Sequence, residues 1–117
     1  MRIDFNDRLF RAVSNSGGGE VDDRTLFSYR QYGDVVWATY QGGAIAFGTM
    51  VGVSRRNGTL DLRYQHVSTT GDLRSGRCVS TPEVIAGDRV RLHEAWEWTE
   101  GGHGAGTSIV EQVLPPT

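Results

Sequence analysis

From Arg8 to Leu114 the chain alternates short apolar runs with glycine-centred breaks. These fall at Gly17-Gly18-Gly19, Gly33-Asp34, Gly42-Gly43, Asn57-Gly58, Thr70-Gly71-Asp72, Gly87-Asp88 and the run from Gly101 to Gly106. They recur about every dozen residues, and the segments between them are rich in Val, Ile, Thr, Tyr and Trp with no helical stripe. The spacing predicts eight strands, near 8–14, 25–31, 35–41, 44–54, 59–68, 73–81, 89–99 and 106–114.

Two breaks are sharp enough to suggest register. Asn-Gly and Gly-Gly suit two-residue loops whose central residues take positive φ. If Asn57-Gly58 is such a loop, Val53 pairs with Leu62, Val51 with Tyr64 and Thr49 with His66. If Gly42-Gly43 is another, Tyr40 pairs with Ile45, Ala38 with Phe47 and Val36 with Thr49. One face then carries Val36, Ala38, Tyr40, Ile45, Phe47 and Thr49, continued by Val51, Val53, Leu62, Tyr64 and His66, and is expected inside. The other face holds Trp37, Ala46, Gly48, Met50, Gly52, Arg63 and Gln65, with Trp37 lying across Gly48. In the seventh strand Val90, Leu92, Glu94, Trp96 and Trp98 alternate with Arg91, His93, Glu97 and Thr99, which places Glu94 among apolar neighbours.

An antiparallel meander of this many hairpins leaves bare edges unless its first and last strands meet. The expected fold is therefore all-β, an eight-stranded up-and-down meander closed into a small barrel, with a two-sheet sandwich as the alternative. A chain of 117 residues is the size of one domain, so residues 1–117 are expected to form one.

Glu94 is the most informative residue, since a carboxylate between Leu92 and Trp96 must be paired, hydrated or protonated. Strand order offers Arg63 and Arg77 as partners. Tyr64 and His66 share a face, with Tyr40 and Thr49 on adjoining strands, so hydroxyls and an imidazole converge as they would in a ligand pocket. Trp96 and Trp98, with Trp37, are candidates to stack a flat ligand. His66, Cys78, His93 and His103 show no metal-ligand spacing, and no metal is expected. Cys78 has no readable base beside it. The glycine run at 101–106 reads as a hairpin tip, because it lacks the dinucleotide fingerprint. Asn57-Gly58-Thr59 matches a glycosylation acceptor but is already explained as a turn.

Charge narrows the classes further. The formal net charge is -2 and the pI about 5.9, with no basic stripe, so nucleic acid is not an expected partner. All 12 basic residues are Arg; the absence of Lys removes Schiff-base chemistry and a phosphate-loop lysine. No apolar run reaches the roughly 18 residues of a membrane span, and one cysteine forms no internal disulfide, so a cytoplasmic location is expected.

Tyr40-Gln41-Gly42-Gly43, Gly58-Thr59-Leu60 into Arg63-Tyr64, the stretch from Gly76 to Glu83 and the stretch from Arg91 to Thr99 together resemble a family of small bacterial proteins often labelled N-acetylglutamate synthase. The resemblance spans Arg8 to Glu111. Its label implies acetyl transfer from acetyl-CoA to glutamate, with Glu94 or His66 as general acid or base. The nearest match to an acetyltransferase pyrophosphate loop is Arg30-Gln31-Tyr32-Gly33-Asp34-Val35, which lacks the final small residue.

The barrel itself resembles the lipocalin or avidin kind. That implies a non-enzymatic binder of one small, partly polar molecule, with Tyr40, Tyr64, His66, Arg77, Glu94 and Trp96 as the ligand-binding residues and no cofactor. A third reading is an interaction module that forms a homodimer through exposed Trp37 and Met50.

Overall fold

The chain folds back on itself between successive strands, and the computed structural model describes residues 2–16 and 19–114. The strands are β1 (Arg8–Asn15), β2 (Leu26–Tyr32), β3 (Val35–Gly42), β4 (Ile45–Ser54), β5 (Leu60–Ser68), β6 (Leu73–Val84), β7 (Val90–Glu100) and β8 (Ala105–Gln112). Each pairs antiparallel with the next, and β8 returns to β1 through pairs such as Phe10 with Gln112, closing a barrel with no free edge. The expected meander, its closure and its strand count are all present. Strand β6 runs past the expected end, through Pro82 to Val84, and a short 3-10 turn at Ala86–Asp88 leads into β7.

The register across β3, β4 and β5 differs from the expected one, for an identifiable reason. The β3–β4 reversal turns at Gly43 and Ala44, so Gly42 faces Ile45. Beyond it β4 carries one extra residue, Ala46, relative to both neighbours: Ile45 faces Ser68, yet Phe47 faces Val67, and Tyr40 faces Gly48. This β-bulge leaves Ala46 and Phe47 both outside and inverts the parity of the rest of β4.

At the far end of β4 the Asn57-Gly58 reversal is one residue longer than a two-residue loop. Arg55 N–H donates to Thr59 C=O at 2.8 Å, and Gly58 sits at φ 91°. Val53 thus pairs with Asp61 and Gly52 with Leu62. Leu62 points into the core while Val53 points outward, contrary to expectation, and Phe47, Thr49 and Val51 follow Val53 outside. Gly48, Met50 and Gly52 turn inward instead. Trp37 lies on the outer wall opposite Val51, and the ring that covers Gly48 belongs to Tyr40.

The inner wall sorts into two levels. The end that holds the β2–β3, β4–β5 and β6–β7 turns is filled by Phe10, Tyr29, Val36, Leu60, Leu62 and Leu92, all essentially inaccessible, and capped by Phe5 from the N-terminal segment. Phe10 meets Tyr29 edge-on at 5.0 Å between ring centres. Burial of such side chains, each contributing about 1.5–3 kcal/mol, makes this end the folded anchor of the barrel. The other end is lined by aromatic rings and a few polar groups, and there the filling is incomplete.

A candidate ligand cavity under the β1–β2 connection

Three inward aromatic side chains lie on three inward glycines of the neighbouring strand. Tyr40 on β3 covers Gly48 on β4, Tyr64 on β5 covers Gly76 on β6, and Trp96 on β7 covers Gly106 on β8. A Cβ at any of these glycines would collide with the ring above it. The rings therefore lie flat against the wall instead of filling the middle, an arrangement in which an aromatic shields backbone that glycine leaves bare. Trp98 meets Tyr64, His66 and Trp96 at ring separations of 5.8, 5.8 and 5.6 Å, and Phe27 stacks on Tyr40 at 5.0 Å.

Inside this aromatic ring is a cavity of about 60 Å³, with Met50, Cys78, Glu94 and Ser108 also on its wall. A water needs about 10–15 Å³ measured this way, so the space takes a few waters or a group of a few heavy atoms. Any larger ligand requires the residues over the mouth to shift.

Glu94 is the polar feature of that wall. Strand pairing sets Ser80 on one side of it and Ser108 on the other. Ser80 Oγ donates to Oε2 at 3.1 Å and Ser108 Oγ donates to Oε1 at 2.9 Å. Protein surrounds the carboxyl, but the residue is only partly buried because it fronts the cavity. Burial pushes its pKa above the usual carboxylate range, and the two serine hydroxyls pull in the opposite direction without cancelling it. The expected arginine partners are elsewhere. Arg63 pairs with Asp61 at 2.7 Å and Arg77 with Glu97 at 2.6 Å, both on the outer wall. Among the described residues, no cation forms an ion pair with Glu94.

A hydrogen-bonded chain runs from the cavity wall to the mouth. The Tyr40 hydroxyl is 2.8 Å from His66 Nδ1, and His66 Nε2 is 2.8 Å from Glu20 Oε1. With a neutral imidazole, Tyr40 O–H donates to Nδ1 and Nε2–H donates to the Glu20 carboxylate. Burial raises the pKa of the Tyr40 and Tyr64 hydroxyls and of the Cys78 thiol well above their ordinary values, keeping all three protonated and making the thiol unreactive.

Glu20 belongs to the connection between β1 and β2. Its neighbour Val21 packs against the core, and the Val21 carbonyl accepts from Asn15 Nδ2 at 2.8 Å. Asn15 Oδ1 in turn accepts from Trp96 Nε1 at 3.2 Å, tying that connection to the lip of the cavity.

Five of the six expected ligand-binding residues, Tyr40, Tyr64, His66, Glu94 and Trp96, thus stand around one cavity, and Arg77 does not. Met50 is inside and Trp37 outside, so the two do not share the exposed surface expected of them. His93 faces outward to Glu83, as expected from its parity. The acetyltransferase-like stretch from Arg30 to Val35 forms the β2–β3 hairpin at the filled end, opposite the cavity. Ser80 and Ser108 were accessible to sequence reasoning, as the residues level with Glu94 once the register of β6 to β8 is set. Glu20, Asn15 and Arg74 carried no such signal, because their roles depend on how an irregular connection crosses the mouth.

The model of the family described as avidin-like protein matches residues 3–113. No curated protein and no solved structure matches the chain.

Proposed function

This chain belongs to the avidin-like protein family, and we propose that it is a non-enzymatic binder of a small, partly polar ligand held in the cavity between Glu94 and the mouth. The observation that carries this reading is the setting of Glu94: a carboxylate facing an aromatic-lined cavity, hydrogen-bonded by two hydroxyls and paired with no cation among the described residues. Each carboxylate oxygen accepts one hydroxyl proton, and about two further acceptor positions remain. A ligand N–H or O–H donor placed there would fill them, and a flat body would lie between Tyr40, Tyr64, Trp96 and Trp98. Donor-bearing ligands such as small amides, amidines and amines fit this chemistry.

A fragment screen by ligand-observed NMR tests the reading. The hits should be rich in N–H donors, and Glu94→Ala should abolish their binding while circular dichroism shows the barrel intact. Hits that bind the variant as well as the parent would refute it.

A second reading, self-association, is favoured by the outer wall of β3 and β4. Val35 faces Val53 and Trp37 faces Val51, which sets apolar side chains together on solvent-exposed strands. Light scattering on size-exclusion fractions should then show a dimer that Trp37→Ser dissociates, and a monomer at high concentration would dismiss it.

A further inference from the structure

At the mouth, Glu20 is held by two groups from the barrel rather than from its own connection. His66 Nε2 and Arg74 Nε each lie 2.8 Å from Glu20 Oε1. Both are built into the wall. The His66 side chain is 2% exposed and fixed on its other nitrogen by Tyr40. The Arg74 guanidinium donates from Nη1 to the Gly101 carbonyl and sits 5.8 Å from the Trp98 ring centre. An imidazole N–H and a guanidinium thus converge on one point, each also held by a contact to the barrel other than Glu20.

The fit of Glu20 to that point is imperfect. One carboxylate oxygen serves both donors, and the buried Arg74 Nε–H is not directed along the short line to it, so that donor makes no well-formed hydrogen bond. A free carboxylate, unconstrained by a backbone, can turn one oxygen to each donor. We propose that His66 and Arg74 form an anion subsite at the cavity mouth, occupied in the ligand-free chain by the Glu20 carboxylate, and that a ligand's own carboxylate takes its place. Glu20 then acts as an internal competitor. Displacing it removes one of the contacts that hold the β1–β2 connection over the mouth, which couples entry of an acidic ligand to enlargement of the cavity. The subsite is independent of Glu94 and stands even if the donor-recognition reading of Glu94 fails.

The test is chemical rescue. Glu20→Ala leaves the two donors without their anion, and sodium acetate is titrated against sodium chloride at equal ionic strength. Acetate should raise the Tm of Glu20→Ala saturably, by about 5 °C at tenfold excess over its dissociation constant. The His66 ring resonances should shift with the same midpoint. The parent should need at least tenfold more acetate, and Glu20→Ala with Arg74→Leu should lose the response. If Glu20→Ala does not fold, Glu20→Gln carries the same titration, since a neutral amide is more easily displaced than a carboxylate. A response no larger than that to chloride, or one that survives Arg74→Leu, would overturn the proposal. Acetate offers no N–H donor to Glu94, so its effect on Glu20→Ala reads the His66 and Arg74 pair alone, and failure of the Glu94 reading and failure of this one are told apart.

Discussion

Replacing Glu94 by Gln keeps the shape of the side chain and both serine contacts while removing the charge. In the parent, Ser80 and Ser108 donate to the carboxylate at 3.1 and 2.9 Å. Hydrogen bonds to a charged group contribute about 1.5–3 kcal/mol each, whereas withdrawing an unpaired ion from water costs several kcal/mol even after relaxation. The two bonds offset much of that cost without cancelling it, since burial still displaces the carboxyl's pKa upward against them. Gln accepts from one serine and donates to the other, so Glu94→Gln should be more stable than the parent by about 1–3 kcal/mol at pH 8.

The sign of the pH dependence follows from linkage. A carboxyl whose native pKa is raised binds more protons in the folded than in the unfolded chain across the window between the ordinary glutamate range and the raised value. Parental stability therefore falls as pH rises through that window, the penalty is complete above it, and it vanishes below it. Asp22, Asp61 and Glu83 have lowered pKa values and slope the other way: Asp22 and Asp61 through their arginine partners, Glu83 chiefly through its hydrogen bond from His93. Their contribution is common to both proteins and cancels in the difference. Urea denaturation of the pair at several pH values should give a stability gap near zero at the acid end that widens to a plateau at the alkaline end. A parent more stable than Glu94→Gln at pH 8, or a gap that does not change with pH, would refute the reasoning.

The inverted parity of β4 predicts that Met50→Ala costs about 2–5 kcal/mol in urea denaturation while the neighbouring Val51→Ala costs under about 1, since Met50 is 7% exposed and Val51 54%. Gly48→Ala should cost about 1–3 kcal/mol and alter the near-ultraviolet circular dichroism, because the added methyl pushes the Tyr40 ring off its seat and away from His66. Cys78, buried with its pKa raised chiefly by that burial, should react with a disulfide reagent at pH 8 at least about tenfold more slowly in the native protein than in urea, and equal rates would show the thiol to be open.

The strand count, the antiparallel order and the closure were legible because each reversal is marked by Gly, Asn or Asp, whose backbone freedom does not depend on distant contacts. Gly33 at φ 59° and Gly71 at φ 86° are examples. Strand β7 was legible residue by residue, since uninterrupted alternation leaves one parity for Leu92, Glu94 and Trp96. Strand β4 was not. Its apolar residues fall on both parities, Phe47, Val51 and Val53 on one and Met50 on the other, so alternation gave no preference and the single extra residue at Ala46 decided the outcome. The partners of Glu94 were missed for a related reason: charge complementarity pointed to arginines, whereas parity puts Arg63 and Arg77 outside and serines level with it. The mouth was the least legible part, because an irregular connection has no period from which to infer that Glu20 reaches His66 and Arg74.

The bulge that defeats alternation also makes the cavity. With Ala46 absorbed outside the ladder, the inward positions of β4 after Ile45 are Gly48, Met50, Gly52 and Ser54, mostly small. Under uninterrupted alternation they would be Phe47, Thr49, Val51 and Val53, and the Phe47 ring would enter the level now held by Tyr40. Gly48 in its place lets the Tyr40 ring lie against the wall with its hydroxyl 2.8 Å from His66. One inserted residue therefore thins the wall, seats an aromatic ring and orients the imidazole that meets Glu20. Bulges of this kind re-aim side chains beside functional sites. The apolar residues displaced to the outside by the same shift, Phe47, Val51 and Val53, then become part of the exposed wall on which the self-association reading rests. Interior cavity and exterior patch are two consequences of one local irregularity, and a change that removed it would alter both together.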